Sequence, residues 1–321
     1  MIKVGVLGTN FGKYHAQLYK KIEGFQLMGV FGRDEHKLSE IAKELNIRTT
    51  NRIEDLVYDS EIDMIDICLP TQLHCKWVIE SLKSGKYVFC ETPLTYSIEE
   101  CEKIREASRI YGKFVYTDLF FKFSYPHMCA INKVRNGELG TVLAVKSINK
   151  TSPKWGNLGL EKNISNFHIH NMDFIAEMLG VPSRLTASGR GSDNMSTVVS
   201  ILGYKECIAV VESSSNLPET FPFCVGFEII CDRGALAFHG EYGNEAKEEF
   251  CQYPERGDVW KIPLKDINEY EEVLKHVRDC IEQNIDSKQI GIDSAMKSLG
   301  ISNAVLESIQ LGSSVQFNDK V

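Results

Sequence analysis

Over the first 120 residues, apolar runs rich in β-branched side chains alternate with stretches whose apolar positions recur every three or four residues. The runs at 2–7, 25–31, 64–69, 87–90 and 114–116 read as strands, nearly continuous in apolar character, as strands buried on both faces must be. The intervening stretches at 12–22, 35–45, 72–84 and 98–111 read as amphipathic helices. Alternation at this spacing predicts an α/β unit, a doubly wound parallel sheet of Rossmann type that binds ligands at the carboxyl ends of its strands.

Beyond residue 120 the pattern changes. Helices are predicted over 126–136 and 168–179, then strands over 142–148, 184–188, 197–202, 207–213, 224–231 and 235–239. Asp232-Arg233-Gly234 is a turn that makes the last two strands an antiparallel hairpin. Helices at 269–283 and 292–312 close the chain. The expected organisation is a dinucleotide-binding domain over 1–120 and an α+β domain over 121–321, whose terminal helix could pack back on the first.

Composition changes this picture little. A chain of 321 residues is longer than one core usually organises, which agrees with two domains. The net charge of -8 argues against a nucleic-acid partner, which needs clustered Lys and Arg. No apolar run nears the roughly 18 residues of a membrane helix. The chain opens directly in a strand with no room for a signal peptide, so a cytoplasmic location is expected. Its 10 cysteines contain no Cys-x-x-Cys pair. Cys68 and Cys75 lie seven residues apart, and His74 beside Cys75 cannot face the same ion from one helix. Reduced thiols and no metal are the expectation.

Candidate chemistry sits where strands end. Gly8-Thr9-Asn10-Phe11-Gly12 follows the first strand and opens a helix, the context in which glycines let a backbone approach a pyrophosphate. The spacing is Gly8-x-x-x-Gly12, one residue shorter than Gly-x-Gly-x-x-Gly, with Asn10 near the missing glycine. The second strand ends at Gly32-Arg33-Asp34. An acid there bonds a ribose hydroxyl in NAD enzymes, whereas Arg33 could grip a 2′-phosphate. NADP is therefore favoured over NAD, with Asp34 either a ribose ligand or a helix cap. Leu69-Pro70-Thr71-Gln72-Leu73-His74 ends another strand, with Thr71 placed to cap the next helix. Glu91-Thr92-Pro93 follows the strand at 87–90, and Asn166-Phe167-His168-Ile169-His170-Asn171-Met172-Asp173 opens a later helix. His170 and Asp173 are three apart, hence on one face, so Asp173 could orient the ring. The plainer alternative is a polar helix start with His168 merely at the surface.

In this order, these motifs resemble those of the Gfo/Idh/MocA dehydrogenases, the glucose-fructose oxidoreductase and inositol dehydrogenase family. The resemblance runs from Gly5 to the terminal helix. Phe121-Lys122-Phe123-Ser124-Tyr125-Pro126 is similar to the family's Arg-Phe-Ser-Pro stretch, and Asn136–Gly140 to its Gly-x-x-Gly turn. It implies a large, mainly antiparallel sheet in the second domain that builds a homodimer or homotetramer. It implies cofactor contacts at Gly8, Thr9, Asn10, Phe11, Gly12, Gly32, Arg33, Leu69, Pro70, Thr71, His74, Glu91 and Pro93.

Two departures stand out. The family's Glu-Lys-Pro loop carries a catalytic lysine where this chain has Thr92. Its Asp-x-Gly-x-His helix start has an acid where this chain has Asn166, and a glycine where it has His168; His170 and Asp173 remain. The expected function is an NAD(P)-dependent oxidoreductase of a sugar, polyol or related small compound. His170 would move the proton, while Asn166 and Thr92 position oxygen. Lys122, Lys150 and Lys154 are candidate replacement cations, and Trp155 a candidate apolar wall. With two charges lost, the alternative is a dinucleotide-binding regulatory or sensor protein without turnover; the family also includes a galactose-pathway transcriptional co-repressor.

Overall fold

The computed structural model describes residues 1–153, 156 and 158–317. These form two compact units: Met1–Leu119 with the returning segment Tyr270–Met296, and Phe120–Glu269 with the chain from Lys297 onward. The return brings the helix Glu269–Gln283 to the first unit, earlier in the chain than the terminal helix considered from sequence.

The first unit is built on β1 (Ile2–Leu7), β2 (Phe25–Phe31), β3 (Thr49–Thr50), β4 (Met64–Ile67), β5 (Tyr87–Cys90) and β6 (Val115–Thr117). They lie in the order β3-β2-β1-β4-β5-β6, with every pair parallel. Val4, Val6, Ile65, Ile67 and Val88 are fully buried, which explains the apolar runs. Helices Phe11–Tyr19, Glu35–Leu45, His74–Lys83 and Ile98–Tyr111 return the chain between strands. Their ends follow local chemistry: Ser97 accepts a hydrogen bond from the Glu100 amide, and Gly112 closes the same helix with a left-handed backbone. Strand order reverses between β1 and β4, the place where open α/β sheets bind ligands. Gly8 adopts φ +133° there, and a Cβ on it would run into the Cys68 carbonyl. Pro70 stops β4 early, and Thr71 starts a 3₁₀ turn, Thr71–Leu73, instead of capping the next helix.

The second unit carries a nine-stranded sheet: β7 (Val142–Lys150), β8 (Arg184–Gly191), β9 (Ser196–Gly203), β10 (Ile208–Ser214), β11 (Phe223–Cys231), β12 (Gly234–Tyr242), β13 (Ala246–Pro254), β14 (Trp260–Lys261) and β15 (Val315–Gln316). The order is β14-β13-β12-β11-β7-β10-β9-β8-β15. β7 and β10 run parallel and every other neighbour antiparallel. The anticipated hairpin closes with Cys231 opposite Gly234. Helices Tyr125–Arg135 and Ile169–Leu179 supply Ala130, Ile131, Phe174 and Ile175 to a core shared with Val145, Val211, Phe227, Ile229 and Phe250 of the sheet. No helix among the described residues is long and apolar enough to cross a membrane.

Candidate active site

At the carboxyl ends of β4, β5 and β6 the first unit buries three carboxylates around one imidazole. His15, on the helix Phe11–Tyr19, donates from Nδ1 to Asp66 Oδ2 at 2.9 Å. Its Nε2 lies 3.5 Å from Glu91 Oε1 and 3.7 Å from Asp118 Oδ2. Tyr19 also donates to Asp66 Oδ2, at 2.9 Å. Burial opposes a charge on His15, but Asp66, with Glu91 and Asp118 beyond it, outweighs burial and lifts the pKa to about 9. Burial lifts Glu91 to about 7. Cys68, His15 and Glu91 bring ligand-type atoms within 4.8 Å of one another. The Cys68 thiol donates to Asp66 Oδ1 at 3.3 Å, however, and burial holds it protonated. Phe11 covers His15, their ring centres 4.9 Å apart, and Tyr270 of the returning helix packs on Phe11 at 5.3 Å.

The adenosine end of the crevice has its own character. Asp34 is a helix cap: its carboxylate accepts from the amides of His36 and Lys37. A Cβ at Gly32 would collide with the Thr9 methyl, so Thr9 fills the space that an acidic side chain would occupy. Arg33 is exposed and makes no hydrogen bond or ion pair among the described residues. Lys37 Nζ donates to Asn10 Oδ1 at 2.7 Å, bracing the Gly8–Gly12 loop with a cation.

Thr92 and His74 hold backbone. Thr92 Oγ1 donates to the Asp118 carbonyl at 2.7 Å, tying the loop after β5 to the one after β6. Its only proton is thereby committed, so Thr92 can accept from another group but not donate to one. The Thr92–Pro93 peptide is cis. His74 spans two loops, Nδ1 lying 3.0 Å from the Pro93 carbonyl and Nε2 2.7 Å from that of Leu69.

The second unit holds the motif around His170. A π-helical turn, Ile164–His168, precedes its helix. That turn directs His168 into the interior: its nitrogens meet Ser213 Oγ at 2.8 Å and Ser200 Oγ at 2.9 Å. His168 is therefore fully buried, against the plainer reading that left it at the surface. His170 packs between Phe120, at 4.7 Å, and Phe121, stacked at 5.1 Å. Its Nδ1 is buried with no hydrogen-bond partner. Burial pulls its pKa down to about 4, against a smaller upward pull from the Asn166 backbone. Asp173 does not bond His170. Lys122 Nζ lies 3.0 Å from Asp173 Oδ1, and Ser298 donates to the same oxygen at 2.7 Å. Lys122 also lies 3.3 Å from Glu177, which pairs with Arg135. Asn166 is exposed and accepts from Ser165 Oγ at 2.5 Å. Lys150 is paired with Glu212 at 2.8 Å. Lys154 and Trp155 lie outside the described residues.

Sequence reasoning missed the His15 group. Asp66 in mid-strand was its one visible signal, a lone carboxylate in the apolar run Met64–Ile67, where it must find a partner.

Residues 2–119 match the family model described as oxidoreductase family, NAD-binding Rossmann fold, of the Gfo/Idh/MocA type. The chain is 27% identical over 186 residues to the oxidoreductase YrbE of Bacillus subtilis, covering 56% of this chain and 54% of that one. It is 25% identical over 276 residues to inositol 2-dehydrogenase of Rubrobacter xylanophilus, covering 81% and 77%. The chain thus spans about half the length of curated relatives such as YrbE. In fold it matches an oxidoreductase from Agrobacterium radiobacter, solved with NAD+, L-tartaric acid and magnesium. The TM-score is 0.83 over 98% of each chain, at 16% identity.

Proposed function

We propose, from the Gfo/Idh/MocA match of residues 2–119, that the chain is an NAD(P)-dependent oxidoreductase of a sugar, polyol or related small hydroxyl or carbonyl compound, with NADP preferred. The observation that carries this reading is His170, a neutral imidazole packed between two phenylalanines with Nδ1 unengaged. The first unit fits a dinucleotide: Gly8 keeps the crevice clear where a side chain would strike Cys68. The Gly8–Gly12 loop would hold the pyrophosphate and Arg33 a 2′-phosphate, with Thr71, Glu91 and Pro93 bordering the nicotinamide ribose. Bound there, the nicotinamide would supply the hydride acceptor or donor.

This chain's own residues would handle the proton and the oxygen. His170 takes the substrate hydroxyl proton during oxidation and returns it during reduction. Nδ1 is enclosed, so this exchange runs through Nε2. With Thr92's proton committed to Asp118, Thr92 accepts from a substrate hydroxyl instead of stabilising an alkoxide. Turnover is slower than a loop lysine would allow, since one positioned donor is worth ~10²–10³ in rate. Ile201, Ile208, Ile230 and Tyr253 of the large sheet are exposed, which supports assembly into a dimer or tetramer.

Fluorescence titration with NADPH and NADH tests the shared premise, and a polyol and aldose screen followed by nicotinamide absorbance tests turnover. NADPH binding with turnover on at least one compound is expected. Absence of binding to either dinucleotide would sink the reading. Binding with a silent screen would favour a regulatory or sensor protein, the reading that the spent Thr92 hydroxyl suggests.

A further inference from the structure

The groups gathered round His15 are not equally buried. The side chains of His15, Asp66 and Asp118 are 1% exposed or less, whereas that of Glu91 is 21% exposed. Glu91 is therefore the carboxyl group through which the cluster meets the crevice. The sheet fixes it there. Just past β5 the Glu91 amide donates to the Ile67 carbonyl at 3.0 Å, and just past β6 the Asp118 amide donates to the Cys90 carbonyl at 2.8 Å. Glu91 Oε1 is nonetheless shut from water without a hydrogen-bond partner, His15 Nε2 standing 3.5 Å away. A carboxylate oxygen in that position lacks a donor to support its charge.

The surrounding groups come from every neighbouring element. His15 and, through Asp66, Tyr19 belong to the first helix. Asp66 and the Cys68 thiol lie at the end of β4, the Cys90 thiol on β5 and Asp118 just past β6. Tyr270 of the returning helix lies 6.4 Å from the His15 ring. Burial holds both thiols protonated. Burial and Asp66 resist a charge on Glu91, and His15 favours it. One imidazolium thus serves three carboxyl groups, and it is already engaged with Asp66 at 2.9 Å. A cation brought to the exposed side of Glu91 would supply what the cluster lacks. A nicotinamide ring carries one positive charge when oxidised and none when reduced, while the rest of the dinucleotide is the same in both forms.

We propose that Glu91 selects the oxidation state of the dinucleotide, its carboxylate favouring the cationic, oxidised nicotinamide over the neutral, reduced one and its proton leaving to solvent as the oxidised form binds. The inference rests on the dinucleotide reading above, in which Glu91 borders the nicotinamide ribose. Glu91 titrates at about 7. Below that pH it is mainly protonated and offers the ring no charge; above it the carboxylate is present. Affinity for NADP+ therefore rises with pH, whereas this group leaves that for NADPH level. Contacts to the parts common to both forms, Arg33 included, cancel in the ratio of the two affinities. A cation within about 4–6 Å lowers a carboxyl pKa by at least roughly one. Preference for NADP+ over NADPH should then grow about five- to tenfold from pH 6 to pH 8.

Calorimetric titration of the full chain with NADP+ and with NADPH at pH 6, 7 and 8 reads that ratio. Repeating the pH 7 titrations in buffers of different ionisation enthalpy counts the protons, and NADP+ should release roughly 0.4 of a proton more than NADPH. In Glu91→Gln the ratio should vary less than about twofold over the same range, with the extra proton gone. His15→Gln removes the cation that favours the Glu91 charge, so the rise should move above pH 7; this holds the inference to account if Glu91→Gln does not fold. A ratio independent of pH in the wild type, a rise that persists in folded Glu91→Gln, or a rise that stays in place in His15→Gln would overturn it. Binding of both forms with a flat ratio removes this inference alone. Absence of binding to both removes it together with the dinucleotide reading beneath it.

Discussion

Lys122 Nζ and Asp173 Oδ1 stand 3.0 Å apart with both side chains shut away from water. Each residue had another role open to it from sequence, Lys122 as a substitute for the missing loop lysine and Asp173 as the partner of His170. The pairing uses up both. It also explains the state of His170: Phe121 stacks on its ring, and the next residue, Lys122, neutralises the nearest acid on the same helical face. Without an uncompensated carboxylate beside it, His170 follows its burial and stays neutral.

Removing one member of this pair should be costly. Lys122→Met leaves the Asp173 carboxylate buried and uncompensated, a loss of ~3–5 kcal/mol. The double variant Lys122→Met with Asp173→Leu should recover part of it, since an apolar pair of similar volume is often tolerated. Urea denaturation of the two single variants and the double variant checks this as a double-mutant cycle. Strictly additive effects would show that the two side chains do not depend on one another.

Thr92 separates tethering from chemistry. Thr92→Val removes the hydrogen bond to the Asp118 carbonyl and should cost about 0.5–1.5 kcal/mol of stability. Thr92→Lys loses the same bond but restores the cation of the family's loop, and turnover should rise by up to ~10². Steady-state rates with saturating NADPH or NADP+ decide it. A lysine variant no faster than wild type would speak for the regulatory reading.

Dinucleotide choice should turn on Arg33 and Gly32. Arg33→Ala should raise the Kd for NADPH more than about tenfold while leaving NADH nearly unchanged, because one charge-assisted contact to a 2′-phosphate is lost. Gly32→Asp alone should weaken both dinucleotides, since its side chain meets the Thr9 methyl. Paired with Thr9→Gly it should tilt the preference toward NADH. Fluorescence titrations of the four proteins check this, and equal losses for NADPH and NADH in Arg33→Ala would refute the assignment.

The fold was legible where the apolar pattern and the caps agree. The strands Ile2–Leu7, Phe25–Phe31 and Tyr87–Cys90 and the helices Glu35–Leu45 and Ile98–Tyr111 have the bounds read from sequence. Parallel strands with both faces covered are mostly apolar, and the caps at Asp34 and Ser97 mark the helix starts. β13 escaped because its Ala-Lys-Glu-Glu opening is exposed and only Phe250 and Cys251 of the strand are buried. The π-turn before His170 escaped as well. It depends on serines from β9 and β10 that meet His168 across the fold, and no local pattern encodes that. Among the candidate site residues, composition placed His170 and Thr92 at chain turns. Whether each hydroxyl, imidazole or ammonium was still available for chemistry depended on partners such as Asp118 and Asp173, far away in sequence.

Stability should fall at both ends of the pH scale. In the first unit, His15 is raised from its ordinary 6.5 to about 9, burial being outweighed by Asp66. Its contribution is complete below pH 6.5 and disappears as pH rises through 9, by roughly 3 kcal/mol at about 1.36 kcal/mol per unit. Glu91, raised by burial from 4.5 to about 7, acts with the same sign at lower pH. In the second unit burial lowers His127 and His168 to about 3 and His170 to about 4. Their unfolded forms take protons first, so acidification below 6.5 favours unfolding. Calorimetric melting across this range should therefore show stability falling on both sides of neutrality. His15→Gln should flatten the alkaline slope and spare the acid one, and His168→Gln should lessen the acid slope, which His127 and His170 still carry, and spare the alkaline one. An alkaline slope that survives in His15→Gln would remove the three-carboxylate cluster as its source.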